Sequence, residues 1–212
     1  MITSDRRARM SLCCAVEGGE PAVAELVQNL GAEGAWAKII EGVLGEPVAQ
    51  RAAQIRVDVF ERLAEAAAAR FVVPGDDEWP GGLDDLRHTE SIQRRGGEPF
   101  GLWLRGPGHL AHLMERSVAI VGSRAATAYG NGIAADLAAD LVEQGVTVLS
   151  GGALASTSRH IAARLPQGDQ PFVCLRTALM WPIRPATPRY LRLWPRTSCW
   201  FQSCRPPLIR RG

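Results

Sequence analysis

The 212-residue sequence contains no run of 18 or more apolar residues, which excludes the usual kind of membrane-spanning helix. Its first twenty residues lack a long apolar segment and a small-x-small cleavage site, so no secretory signal peptide is expected. The five cysteines are odd in number. Neither the adjacent Cys13 and Cys14 nor the isolated pair Cys199 and Cys204 has a zinc-binding spacing. We therefore expect a cytoplasmic protein with reduced thiols, no bound metal and no membrane association.

Charge is distributed unevenly along the chain, although 24 basic and 22 acidic residues give a net charge of only +2. Residues 154–212 hold ten Arg, no Lys and one acid, Asp169, a charge of +9, which leaves −7 for residues 1–153. The same segment has eight of the 14 Pro but only two of the 22 Gly. Because proline is disfavoured in helix interiors and central strands, we expect neither element in this segment.

Residues 9–70 are predicted to form a small bundle of three or four helices. Six apolar side chains recur at steps of three and four, which is the stripe of an amphipathic helix: Val48, Ala52, Ile55, Val59, Leu63 and Ala67. Gly31, Gly45 and Pro47 are expected to interrupt the helices. We interpret this segment as a packed accessory domain, and a module that binds a partner by itself is the alternative.

A short β-type run at residues 71–73 marks a change of character, and the sequence PGDDE at 74–78 reads as a turn. Its three carboxylates could suggest a metal or acid–base site. No His or further acid stands at a suitable spacing, so we expect a solvated turn instead. His109 and His112 are likewise interpreted as surface residues.

Residues 117–153 carry the most informative pattern, a strand, a helix and a second strand. Residues 118–121 form a continuous apolar run of the kind that is buried in a parallel sheet. The helix that follows has three large apolar side chains on one face, Ile133, Leu137 and Leu141, and Gly145 is placed as its C-terminal stop. Residues 146–149 form the second strand. The pattern predicts a βαβ unit.

Small residues and one arginine follow the two strands: Gly122, Ser123 and Arg124 after the first, and Ser150, Gly151, Gly152 and Ala153 after the second. Both turns are expected at the same edge of a parallel sheet, where α/β proteins bind ligands. Small residues let backbone N–H groups approach an anion, and a guanidinium suits phosphate oxygens. The alternative is that Ser123 only caps the helix and that Arg124 is merely exposed.

The spacing of these glycines is not that of a nicotinamide-binding loop. The motif G-x-G-x-x-G is absent, and no acidic residue ends the second strand. A nicotinamide cofactor is therefore disfavoured, and no cofactor is expected.

The runs VAIVGSRAATAYG and GVTVLSGGA closely resemble the DNA-processing protein A family (DprA, also called Smf), in its actinobacterial form. FVVPGDDEWPGGLDDL and PFGLWLRGP, which precede them, are similar to the same family. The resemblance covers residues 70–153 well and residues 9–70 loosely.

The resemblance implies a non-enzymatic protein that binds single-stranded DNA and loads the RecA recombinase during natural transformation of competent cells. It also implies that the residues after the two strands, named above, line a pocket for DNA phosphates. Such binding is electrostatic and depends on salt.

The family pattern continues S-G-G-A-x-G-I-D-x-x-A-H, and this chain departs from it at Leu154, where the composition also changes. If one base were lost near codon 154, residues 154–163 could be reread as GVDVAAHRG. Residues 177–187 would give GVDVAYPAGH, and residues 197–206 would give ELLVSELPP. All three fragments fit the family in the right order. We therefore interpret residues from about 154 onward as an out-of-frame translation.

The sequence thus predicts an α/β protein with three parts: a helical N-terminal domain at residues 1–69, an incomplete Rossmann-like domain at 70–153, and a non-native, largely irregular tail at 154–212. We expect a truncated, inactive member of the family, in which the second strand (residues 146–149) lacks its neighbours and the family's homodimer surface is lost. The alternative is an enzyme of the nucleotide phosphoribohydrolase type, although its P-G-G-x-G-T-x-x-E motif is absent in either frame.

Overall fold

The computed structural model describes residues 2–16, 19–89, 96–121, 126–151, 172–176 and 199–202. The chain divides into two compact units, the first comprising Met1–Leu102 and the second Trp103–Gln202. This division falls later in the chain than the boundary after residue 69 that the sequence predicts. The order of elements, helices first and then a sheet with a helix between strands, is that of the expected α/β fold.

Four helices open the first unit: α1 (Ser4–Ala15), α2 (Pro21–Ile40), α3 (Glu46–Ala53) and α4 (Val57–Ala66). Gly31 has φ 70° and kinks α2, while Gly45 has φ 91° and precedes α3, with Pro47 in the first turn. Such positive φ angles favour glycine because it has no Cβ. The predicted interruptions of the bundle are therefore confirmed.

The amphipathic stripe predicted over residues 48–67 belongs to two helices instead of one. The last turn of α3 is closed by short-range bonds, with the Gln54 N–H donating to the Arg51 carbonyl at 3.1 Å. Arg56 then leaves the helical region, with φ −115° and ψ 89°. Of the stripe, only Ala52 is buried, while Val59 and Leu63 are 38% and 39% exposed. The expectation of one core-facing helix was wrong because a periodic pattern does not reveal a break within it.

The first unit continues with strand β1 (Ala69–Val72) and a 3-10 helix at Gly81–His88. The Asp76 N–H donates to the Val73 carbonyl at 3.1 Å, and Gly75 has φ 91°. Pro74 followed by a glycine with positive φ is the sequence of a type II turn. The predicted turn is thus confirmed.

Two of the three carboxylates of this turn, Asp76 and Glu78, are paired with arginines, which differs from the solvated turn that the sequence predicts. Asp76 accepts two hydrogen bonds from Arg6, at 2.7 and 3.0 Å, and one from the Val73 N–H at 2.9 Å. Glu78 accepts from Arg70 at 2.6 Å. Arg6 comes from α1, so this ion pair ties the turn to the helices.

Strand β2 (Leu102–Arg105), helix α5 (Leu110–Glu115) and strand β3 (Ser117–Ile120) lead into the second unit. Helix α6 (Ala128–Glu143) and strands β4 (Thr147–Gly151), β5 (Phe172–Arg176) and β6 (Cys199–Gln202) complete it. The order of these strands in the sheet is β2-β6-β5-β4-β3. The last four are parallel to one another, and β2 is antiparallel to β6.

Two strands lie in the proline-rich segment, so the expectation that it holds no central strand was wrong. β5 pairs with β4 and β6 and is therefore interior to the sheet. None of the prolines falls within β5 or β6. A proline removes the backbone N–H donor only at its own position in a sheet, so short strands can form between prolines.

Gly101, just before β2, lies against the ring of Phe71, which is buried. A Cβ at position 101 would overlap the ring, because three ring atoms lie well inside normal contact distance of it. Close packing of this kind leaves no room for an added methyl group.

Gly101→Ala is therefore expected to lower the free energy of unfolding by about 1–3 kcal/mol, as overpacking does. Urea denaturation would measure this change. Gly82→Ala is the matched control because a Cβ there meets nothing within 4 Å. Equal midpoints for the two variants would contradict the predicted overlap.

Candidate nucleic-acid interface

The βαβ unit predicted from the sequence is present in the second unit. β3 and β4 are parallel, and their paired residues run from Ser117 with Thr147 to Ile120 with Ser150. The carboxyl ends of the two strands therefore lie side by side, at the same edge of the sheet. The segments that begin after Ile120 and after Gly151 leave from neighbouring points on this edge, as predicted.

Helix α6 begins a few residues after this edge. Its N-cap is Thr127, whose side-chain oxygen accepts from the Gly130 N–H at 3.1 Å. This excludes the alternative that Ser123 caps the helix. The sequence contains the signal for the true cap, since a threonine that directly precedes a helix is a preferred N-cap. No acidic residue stands in the first turn of α6, so no side-chain charge there opposes an anion.

The C-terminal end of α6 follows the prediction closely. Gly145 has φ 71°, and its N–H donates to the Val142 carbonyl at 2.9 Å. The Val146 N–H donates to the Leu141 carbonyl at 2.9 Å. This pair of bonds is a Schellman motif, which turns the chain directly into β4.

Ser150, near the carboxyl end of β4, is 4% exposed. Its hydroxyl donates to the Ile120 carbonyl at 3.1 Å. This bond holds the carboxyl ends of β3 and β4 together and fixes the starting points of both following segments. Sequence reasoning placed Ser150 at the edge but missed this link, because strand register cannot be read from one strand alone.

Of the other predicted site residues, only Gly151 lies within a described element, as the last residue of β4. Gly122, Ser123, Arg124, Gly152 and Ala153 lie outside the described residues. The structure thus positions the two strand ends from which these residues follow.

The described parts of the chain hold no group of three or more potential metal ligands. No helix among these residues is long and apolar enough to cross a membrane.

Comparison with known proteins bears directly on the βαβ unit. Residues 70–172 match the family model of DNA recombination-mediator protein A. This region, residues 70–172, belongs to the DNA processing protein A family. The matched region begins at the predicted start of the Rossmann-like domain and includes both strand ends of the candidate interface.

Curated relatives agree with this assignment. The chain is 37% identical, over 160 residues, to DNA processing protein DprA of Mycobacterium tuberculosis, in strains CDC 1551 and H37Rv. The alignment covers 72% of this chain but 41% of each relative. The chain therefore spans less than half the length of these relatives.

Among solved structures, the chain is similar to DNA processing protein A from Helicobacter pylori, a protein with a unique single-stranded DNA binding mode. The two chains share 18% identity with a TM-score of 0.43, over 68% of this chain and 60% of the other.

The family match extends past Ala153 to residue 172. It includes the first part of the segment that the sequence analysis interprets as out of frame. The three-part division at residues 69 and 153 therefore stays a prediction.

Proposed function

We propose that this protein's Rossmann-like domain, when translated in its family frame, is a recombination mediator that binds single-stranded DNA. The observation that carries the proposal is the family match over residues 70–172. The parallel register of β3 and β4 supports it, because it brings the starts of two glycine-rich segments to one edge of the sheet.

The DNA backbone would be held by the residues that follow these strands: Gly122, Ser123, Arg124, Ser150, Gly151, Gly152 and Ala153. Small residues permit close approach of backbone N–H groups to phosphate oxygens. Arg124 supplies a fixed positive charge with a planar set of donors. Contacts of this kind read the backbone and not the bases, so the binding is independent of sequence.

RecA is the protein partner that the family resemblance suggests, and the mediator role would consist of loading RecA onto the bound DNA. Such loading requires the longer, in-frame protein, since this chain spans 41% of its curated relatives. In the 212-residue chain the segment after residue 153 is out of frame on our proposal. The chain would then lack both the mediator activity and the homodimer surface of the family.

Arg124→Ala in the chain restored to the family frame is expected to weaken binding of an oligo-dT probe by about 10–100-fold. A charge-assisted hydrogen bond to phosphate contributes about 1.5–3 kcal/mol, which corresponds to this range. Fluorescence anisotropy across a salt series measures both the affinity and its salt dependence. The salt slope should fall by about 0.7 for one lost phosphate contact on a single strand.

Arg105→Ala is the matched control for this measurement. Arg105 is exposed and ends β2, which runs antiparallel to β6 and hence to β3 and β4. The carboxyl end of β2 therefore lies on the side of the sheet opposite to the carboxyl ends of β3 and β4. Equal losses of affinity for the two variants would show general charge attraction and would contradict a site at the β3–β4 edge.

We also propose that the domain acts without catalysing a reaction. An assay of nucleoside monophosphate hydrolysis tests this directly, because the phosphoribohydrolase alternative predicts release of free base. If the unchanged domain hydrolysed nucleoside monophosphates and the Arg124→Ala variant did not, the result would favour the phosphoribohydrolase alternative.

A further inference from the structure

The helices of the first unit enclose a cavity of about 480 Å³ that the proposed DNA site does not use. Its walls come from one face of α1, from the part of α2 that follows the kink, and from the residues that lead into α4. A volume of this size lies in the range of pockets that hold a small organic ligand. An aromatic ring and charges of both signs line it, on Arg7, Glu33, Trp36, Arg56 and Asp58.

Trp36 and Glu33 supply the aromatic ring and a free acceptor of the cavity. They lie three positions apart on α2, so both side chains belong to the same face of the helix. Trp36 is partly exposed and Glu33 is exposed. Glu33 accepts a hydrogen bond from the Ser4 hydroxyl at 2.6 Å, and no cationic side chain in the described part of the chain pairs with it. A carboxylate with one neutral partner can accept further N–H donors.

Two arginines supply donors on the other walls of the cavity. Arg7 lies 3.5 Å from the Glu61 carboxylate, and Arg56 lies 3.4 Å from that of Asp58. Both distances exceed the roughly 2.7–2.9 Å of a charge-assisted hydrogen bond, and the two arginine side chains are 48% and 73% exposed. Because a guanidinium has five N–H donors, each arginine can contact a phosphate while it stays near its carboxylate.

We propose that this cavity binds a guanine nucleotide, either free or as one unit of a single strand. The base stacks on Trp36. Glu33 accepts from the two adjacent N–H donors on the Watson–Crick edge of guanine, and Arg7 and Arg56 donate to the phosphate. Adenine is disfavoured because it presents an acceptor nitrogen to the carboxylate where guanine presents a donor.

An organic cation is the poorer ligand for the cavity. Trp36 and Glu33 by themselves would suit one, but the guanidiniums of Arg7 and Arg56 line the same space and would repel it. All of the lining residues precede the family match at residues 70–172. The inference therefore does not rest on the phosphate site proposed after β3 and β4.

The test titrates the 212-residue chain with dGMP and with dAMP by isothermal titration calorimetry. Both probes are purine nucleotides with the same sugar and the same charge, so the basic segment at residues 154–212 attracts them equally. We expect dGMP to bind at least about 10-fold more tightly than dAMP, which is the discrimination that a bidentate contact to a base provides.

Substitutions in the cavity separate recognition of the base from general attraction. Glu33→Gln should reduce the preference for dGMP to less than about threefold. Trp36→Ala should weaken binding of both probes by about 10-fold, because base stacking is lost, whereas Trp36→Phe keeps a ring and should retain most of the affinity even if Trp36→Ala fails to fold. Glu25→Gln is the matched control for Glu33, since Glu25 is exposed on the same helix and does not line the cavity.

Competition distinguishes the two sources of the nucleotide. If an oligo-dT strand with one central guanine displaces dGMP and oligo-dT alone does not, the ligand is a strand; if neither displaces it, the ligand is the free nucleotide. Both results support the proposal. Undetectable dGMP binding or equal affinities for dGMP and dAMP would overturn it, and so would dGMP binding that Glu33→Gln and the two Trp36 variants leave unchanged. Binding of spermidine in place of dGMP, abolished by Glu33→Gln, would show a cation site instead.

Discussion

Inserting one base near codon 154 is expected to raise the protein's affinity for single-stranded DNA by at least about 100-fold over that of the 212-residue chain. That factor corresponds to about 2.7 kcal/mol, or one to two charge-assisted phosphate contacts. The physical reason is that insertion would replace residues 154–212 with the family's G-V-D segment, which follows the β4 edge directly. Anisotropy of a labelled oligo-dT at fixed salt is the measurement.

The control for this experiment is the chain ended after Ala153. It separates two effects of the insertion, the gain of family sequence and the loss of a +9 segment. The basic segment should give the 212-residue chain only weak binding that falls steeply with salt. Tight binding by the 212-residue chain itself, lost in its Arg124→Ala variant, would contradict the proposed inactivity. Sequencing the genomic DNA across codon 154 tests the frame independently.

Charge illustrates how a whole-chain property can suggest a partner for the wrong reason. The net charge of +2 combines −7 over residues 1–153 with +9 over the rest. A basic segment with interleaved tryptophans has the composition of a nucleic-acid-binding tail. The proposed phosphate site lies instead after β3 and β4, in a region whose net charge is negative. Backbone N–H groups and one arginine can bind phosphate there because local geometry outweighs the mean charge.

Local signals in the sequence predicted the elements of the site well. Gly145 ends α6 in a Schellman motif, as expected from a glycine after a helical pattern. Gly31 and Gly45 adopt positive φ where the bundle is interrupted. The parallel pairing of β3 and β4 follows from a strand–helix–strand pattern with a short crossover. Each of these features depends on a few neighbouring residues.

Features that depend on strand order were not predictable from local sequence. The run at residues 118–121 was expected to be buried, yet Val118 and Val121 are 40% and 87% exposed. The second strand was expected to lack neighbours, yet β4 is paired on both sides, by β3 and β5. An apolar run shows that a strand is suited to burial. Only the order of strands in the sheet determines which of the apolar strands is buried.

Local sequence also did not predict which face of helix α6 is buried. The sequence places Ile133, Leu137 and Leu141 on one face of the helix, but of these only Leu141 packs against the buried cluster. Instead the buried face holds the smaller residues Asn131, Ala135, Ala138 and Val142. Small side chains permit a helix to lie close to a sheet, so the face in contact is selected by fit as well as by hydrophobicity. The larger side chains of Ile133 and Leu137 are half exposed instead.

Val148→Asp is expected to destabilise the second unit by about 4 kcal/mol or more, which is enough to unfold a marginally stable domain. Val148 is 0% exposed and packs in a cluster of apolar side chains from α6 and β3. A carboxylate there would lose its hydration without gaining a partner. Urea denaturation followed by circular dichroism measures the loss.

Val118→Asp is the matched control, because Val118 is the register partner of Val148 on the neighbouring strand. The two positions have the same residue type, the same secondary structure and the same sheet, and differ in exposure, 40% against 0%. In the 212-residue chain Val118→Asp should cost no more than about 1 kcal/mol, since its carboxylate stays hydrated at the edge. A loss as large as that of Val148→Asp would mean that β3 is covered in this chain and would contradict its position as an edge strand. The difference between the two variants therefore measures the effect of burial at two paired positions of neighbouring strands.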